Sequence, residues 1–240
     1  MACALAGKGF TLVELGRREA AVAVYDDLIE RFGGDTEARL EPWIARALFD
    51  KGVTLGELNR SEQAVAAYNE LMSRYGGANE SELQGWVARA LRNKGVRLSK
   101  LNRDREAIAA YDELIASYGD ATEPELREQV AAALLNRGAR LTKLKRFKEA
   151  LLTFDNLLAR YRDAPESELR VLVARALVNK ADALFRLRRI RAGFATSHDL
   201  VVGYGDAPEP DVRGVVRGAA SVRNLRLRNS PLWDILRRRG

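Results

Sequence analysis

Apolar residues along this chain fall in stripes. Within EAIAAYDELI the apolar positions Ala107, Ile108, Tyr111, Leu114 and Ile115 are spaced i, i+1, i+4, i+7 and i+8, one face of an α-helix. ELREQVAAALLNRGARLTKL carries the same stripe over a longer span. The stripes then return: LFDKGVTLGELNRSEQAVAAYNELMSRYGGA, LRNKGVRLSKLNRDREAIAAYDELIASYGDA and LLNRGARLTKLKRFKEALLTFDNLLARYRDA follow one another at a spacing of 43 residues. The pattern predicts a long helix of roughly 20 residues and a shorter one of roughly 15 in each period, joined by tight turns.

Individual positions keep the register without an insertion. Gly9, Gly52, Gly95 and Gly138 recur, with Ala181 in the fifth copy. Leu12, Leu55, Leu98, Leu141 and Leu184 follow three residues on. Ala21, Ala64, Ala107 and Ala150 come next, then the aromatics Tyr25, Tyr68, Tyr111 and Phe154, then Leu28, Leu71, Leu114 and Leu157. Small residues at fixed helical positions predict close helix crossings, with the aromatic filling the space between pairs. One pair cannot bury its stripe alone, so the pairs must stack. The expected fold is all-α, a right-handed or gently twisted α-solenoid. Thr122 with Glu125, Asn79 with Glu82, Asp163 with Glu166 and Asp206 with Glu209 read as capping boxes opening the long helices. Pro124 and Pro165 suit a first turn. The glycines of RYGG, SYGD and GYGD read as left-handed caps closing the short ones.

Gly, Ala twelve later, an aromatic sixteen later and Leu nineteen later, with Leu5, Leu48, Leu91, Leu134 and Leu177 four before the Gly, resembles the tetratricopeptide repeat. The resemblance covers about residues 1–205, in a long 43-residue form of bacterial type, against ~34 for the family. Five repeats are expected over 1–206, the first truncated and the fifth degenerate at Gly193 and Ser197; a degenerate capping helix over 207–228; and a basic tail over 229–240 with the apolar anchor PLWDIL. The missing start of the first repeat also fits an assembly or sensor segment of a larger multidomain protein, and a bare array end that self-associates.

The resemblance implies a concave face, lined by the first helices, that holds a peptide or a partner helix. Two residues before the glycine stand Asp50, Asn93, Asn136 and Asn179; six before stand Arg46, Arg89 and Arg175, with Ala132 breaking the series. An Asn can both donate to and accept from a peptide backbone. Relatives that clamp a C-terminal carboxylate use five such positions, and Arg92, Asn136 and Arg175 occupy three of them, with Val96 and Asn179 at the others. The expected partner is a protein segment, acidic or C-terminal. Trp43 and Trp86, one period apart, read as packing residues.

Charge adds a second reading. Of the net +7, all of it arises from Arg186 onward, where 12 Arg stand against five acids; upstream, 28 basic and 28 acidic residues cancel. Arg223, Arg226, Arg228, Arg237, Arg238 and Arg239 form a basic C-terminal patch suited to phosphates of nucleic acid or an anionic surface, or to a solvated cap. Catalytic chemistry is not signalled. His198 is the single histidine, its neighbours Ser197 and Asp199 point elsewhere on a helix, and no Gly-rich phosphate loop or metal-ligand spacing occurs. No cofactor is expected. One cysteine and no long apolar run fit a cytoplasmic protein without a membrane span.

Overall fold

The stripes fold into eleven α-helices among the described residues, 1–34 and 39–228, of the computed structural model. They are α1 (Ala2–Glu14), α2 (Arg18–Phe32), α3 (Glu41–Glu57), α4 (Ser61–Tyr75), α5 (Ser81–Lys100), α6 (Asp104–Tyr118), α7 (Pro124–Lys143), α8 (Phe147–Tyr161), α9 (Ser167–Arg186), α10 (Ile190–Tyr204) and α11 (Pro210–Arg228). The first helices α5, α7 and α9 have 20 residues each and the second helices 15. The fold is an α-solenoid of helix–turn–helix units, organised as two compact units, Met1–Ala133 and Leu134–Gly240. In the first unit α1 packs on α2 and α3, α3 on α4 and α5, and α5 on α6. In the second, α9 packs on α8, α10 and α11.

The repeated glycine exists because of the repeated ring. A Cβ added to Gly9, Gly52 or Gly95 would stand 2.3–2.4 Å from the ring edge of Tyr25, Tyr68 or Tyr111, and one on Gly138 would stand 2.3 Å from that of Phe154. These rings are no more than 1% exposed. Each sets its edge against bare helix backbone, so the first and second helices approach as closely as the ring allows. Burying such a side chain contributes on the order of 2–3 kcal/mol. Leu28, Leu71, Leu114 and Leu157 complete the core at 0% exposure.

The turns differ from the expectation. Gly33, Gly76, Gly119 and Gly205 close the short helices with right-handed backbone, φ between −68° and −56°. A Cβ on Gly33, Gly76 or Gly205 would meet the carbonyl oxygen four residues earlier at 2.3–2.5 Å, although Arg162 holds the same place with the same right-handed backbone in the fourth copy. The left-handed residues stand instead in the other turn, between first and second helix, at Gly16, Asn59, Asn102, Lys145 and Arg188, with φ of 58–73°. There the next amide reaches back five residues, as in Arg60 N–H to Leu55 C=O at 2.9 Å, with the same bond at Arg17, Arg103, Arg146 and Arg189. This is the Schellman closure, and the repeated leucine supplies its acceptor.

The expected capping boxes do not form either. Glu80 and Glu166 are the extended residues before α5 and α9, without a side-chain cap bond, and α7 and α11 start after Glu123 and Glu209. Asn79, Thr122, Asp163 and Asp206 fall too early because the chain first makes a tight turn, in which Ala78, Ala121, Ala164 and Ala207 donate to the carbonyls of Tyr75, Tyr118, Tyr161 and Tyr204. Pro124 opens α7, whereas Pro165 lies before α9. Gln84 and Arg213 pin this turn from inside the helix, donating to Ala78 and Ala207 carbonyls at 3.2 and 2.6 Å.

Candidate binding face on the first helices

In the first unit, α3 and α5 bring five of the residues singled out above to partly exposed positions: Arg46, Asp50, Arg89, Arg92 and Asn93. Spacings of three and four residues place Arg46 beside Asp50, and Arg89 beside Arg92 and Asn93, on single helix faces. Arg46 Nε lies 3.5 Å from an Asp50 carboxylate oxygen. Burial pushes the Asp50 carboxyl above its ordinary range, and Arg46 and Arg89 pull it back only in part. The Tyr25 hydroxyl is pushed up to about 12, first by burial and then by the Asp50 charge.

One period on, Asn93 takes the corresponding place beside Tyr68. Burial pushes that phenol up to about 12, against the effect of Asn93, Arg97 and Arg92. The position two before the glycine is therefore shared between solvent and the tyrosine hydroxyl of the preceding helix. A neutral amide there avoids the desolvation that Asp50 suffers.

The arginines are not a bare cationic stripe. Arg89 makes a 2.8 Å ion pair with Glu125 at the start of α7 and lies over the Trp86 ring at 5.0 Å. Arg92 is more buried. Burial lowers its pKa, Glu128 opposes this and the like charge of Arg89 reinforces it. Among the described residues its guanidinium makes one long hydrogen-bond approach, at 3.5 Å, to the Asn93 side-chain oxygen. Trp86 packs on Phe49, which in turn packs on Tyr68, with ring centroids 5.3 and 6.1 Å apart. Trp86 is thus a packing residue with one edge under Arg89, and its buried indole N–H has no partner.

Arg97 and Gly56 carried no weight in the sequence reading. Arg97 lies across the α3 backbone, donating to the Gly56 carbonyl at 2.8 Å, where a Cβ on Gly56 would stand 2.4 Å from the guanidinium carbon. The available signal was a second glycine, four residues after Gly52, in a single copy of the repeat. Phe10, Val53 and Val96 add an apolar side chain at one register position of α1, α3 and α5, and Phe10 is 51% exposed.

In the second unit, Asn136 and Asn179 are half-buried and Arg175 is exposed. Phe154 has no hydroxyl to offer Asn179. Arg223, Arg226 and Arg228 lie in the closing turns of α11, while Arg237, Arg238 and Arg239 are outside the described residues. Among the described residues there is no cluster of three or more His, Cys, Asp or Glu able to hold a metal, and no helix long and apolar enough to cross a membrane.

Comparisons agree with this architecture. Residues 46–78 match the tetratricopeptide repeat family. A search of curated protein sequences finds no significant match. BtubC (BKLC) from P. vanneervenii superposes with a TM-score of 0.65 at 14% identity, over 84% of this chain and 80% of that one. A putative kinesin light chain from Podosopora anserina, with nearly identical TPR-like repeats, gives 0.62 at 9% identity over 84% and 93%. A tetratricopeptide repeat protein from Parabacteroides merdae gives 0.54 at 14% identity over 93% and 87%. Residues 46–78 match one tetratricopeptide repeat, and the chain shares the helical-repeat fold of these structures.

Proposed function

We propose that this chain is a non-enzymatic interaction scaffold that binds an acidic protein segment along the first helices. The observation that carries the reading is Arg92, a cation held in a mostly buried place with no carboxylate bonded to it. Burying a charge is costly unless it is paired, and an incoming carboxylate supplies the pair. Asn93 beside it offers both a donor and an acceptor to a peptide backbone. Phe10, Val53 and Val96 offer apolar contact at one register position on three helices. Because the helices are already packed, ordering costs fall mainly on the ligand. Arg175, Asn136 and Asn179 repeat the same residue types on the second unit.

The test is affinity capture from a nuclease-treated lysate with the intact chain and with the Arg92→Glu/Arg175→Glu variant. Partners that survive nuclease and are lost with the variant support the reading. Partners lost with nuclease and indifferent to the variant sink it, and transfer the function to nucleic-acid binding by the Arg-rich C-terminal region.

A further inference from the structure

The second helices carry an independent site in the second unit. A cavity of about 710 Å³ opens between α8, α9 and α10. Its floor is apolar, formed by Leu151, Leu184 and Leu187, and Leu152 at its edge is 70% exposed. Lys148 and Arg189 stand at its rim.

The repeat itself shows what belongs between two such positions. In the third copy, Arg103 opens α6 and is held by two carboxylates: Glu106 of the same helix at 2.5 and 2.7 Å, and Glu62 of the preceding second helix at 2.9 Å. Two periods on, the equivalent arginine is Arg189. Glu106 is replaced by Ala192 and Glu62 by Lys148. Both carboxylates are gone, and one is exchanged for a second cation. The two acids lining the cavity do not compensate, since Asp155 is taken by Lys180 at 2.6 Å and Asp199 by Arg162 at 3.4 Å. Ala192 also leaves the space that a longer side chain would fill.

We propose that this cavity docks a segment of a partner protein in which an acidic residue stands beside leucine-sized apolar ones. The carboxylate would sit between Arg189 and Lys148, where the glutamates sit around Arg103, and the apolar side chains would cover Leu151, Leu152 and Leu187. The occupant is a protein segment because its template in the third copy is a glutamate on a neighbouring helix, and because the apolar floor extends outward to exposed Leu152. This chain's own PLWDIL also sets an acid, Asp234, among apolar residues, but Arg237, Arg238 and Arg239 follow it at once and would bring three further cations to Arg189 and Lys148. The site is separate from Arg92 and its surroundings, and does not depend on that reading.

The experiment is to pan a displayed library of random dodecapeptides against the full chain and measure the selected peptides on three variants. Ala192→Glu restores the internal carboxylate and occupies the site from within; Lys148→Glu restores the other. The expected result is selection of acidic, leucine-rich peptides whose binding falls by at least about tenfold with either variant. Binding should be unchanged by Arg89→Glu. Selected peptides that bind both cavity variants normally overturn the proposal, as does selection without acidic residues, or loss with Arg89→Glu instead. A circular-dichroism melt of each variant checks folding, and should Ala192→Glu not fold, Lys148→Glu decides.

Discussion

The third helix pair and the fifth solve one packing problem in opposite ways. In α5/α6 the glycine is on the first helix, Gly95, and the ring on the second, Tyr111. In α9/α10 those two places hold Ala181 and Ser197, and the pair has traded helices: the ring is Phe185 on α9 and the glycine is Gly193 on α10. A Cβ on Gly193 would stand 2.7 Å from the Phe185 ring, against 2.4 Å for Gly95 and Tyr111. Phe185 also meets Phe194 edge-on at 5.1 Å, and Ser197 turns its hydroxyl to the Gly193 carbonyl. Read as decay in the sequence, the fifth copy is a rewired one. What persists is a ring edge against bare backbone; which helix supplies which is free to change.

The largest effect that tests this contrast is Tyr111→Ala, expected to cost ~3–5 kcal/mol in urea denaturation, against less than ~1 kcal/mol for Ser197→Ala at the matching position. Equal losses would mean that the ring has no special role in the third pair. Adding a methyl group on either glycine comes next. Gly95→Ala is expected to cost ~1–3 kcal/mol, with Gly193→Ala at the lower end because Phe185 is half-exposed and freer to yield.

A smaller effect separates the turns. Lys145 and Arg188 hold the left-handed conformation that Gly16 holds at no steric cost. Lys145→Gly and Arg188→Gly are each expected to stabilise by ~0.5–1 kcal/mol, and Gly16→Ala to destabilise by ~1 kcal/mol. The thermal midpoint gives the sign in each case, and a loss on either Gly replacement would break the account of the turn.

The smallest effect concerns Asp50, which stands where later copies have Asn93, Asn136 and Asn179. Its carboxyl is held above the ordinary carboxylate range, mainly by burial, so the folded chain holds that proton more tightly than the unfolded one. The resulting stability is present below the unfolded value and is lost as pH rises through the folded one. Asp50→Asn removes this dependence. The variant should match the parent in strong acid and become the more stable as pH rises, holding a constant small advantage near neutrality. Urea midpoints from about pH 3 to about pH 7 check this. A difference that narrows with rising pH would show the Arg46 ion pair outweighing desolvation.

The ladder from glycine to aromatic was legible because it is written in residue size, which a sequence displays directly. Helix lengths followed from it. The left-handed turn was not legible, because Gly, Asn, Asn, Lys and Arg share no chemistry, only a backbone angle imposed by the two helices around them. The state of Arg89 was also hidden: Glu125 lies on another helix, off the 43-residue register, so no periodicity points to it. The Asn column was visible as a pattern, but its neighbours, the Tyr25 and Tyr68 hydroxyls, emerge only once the helices are stacked. Glycine at the end of the short helices suggests a left-handed cap, yet the backbone there is right-handed and Arg162 adopts it as well, so residue type alone does not fix the angle.

Five of the struts between neighbouring helix pairs have nearly one reach. Arg18 to Glu57, Arg74 to the Gly33 carbonyl, Arg97 to the Gly56 carbonyl, Arg103 to Glu62 and Tyr204 to the Arg162 carbonyl span 39 to 42 residues each. No strut in this set spans two periods, so each copy answers only to the copies beside it. For a gene, this makes length a heritable variable of its own kind. Unequal recombination that inserts or removes one whole period meets compatible partners at both new junctions, whereas a shift of one or two codons misaligns every strut it crosses.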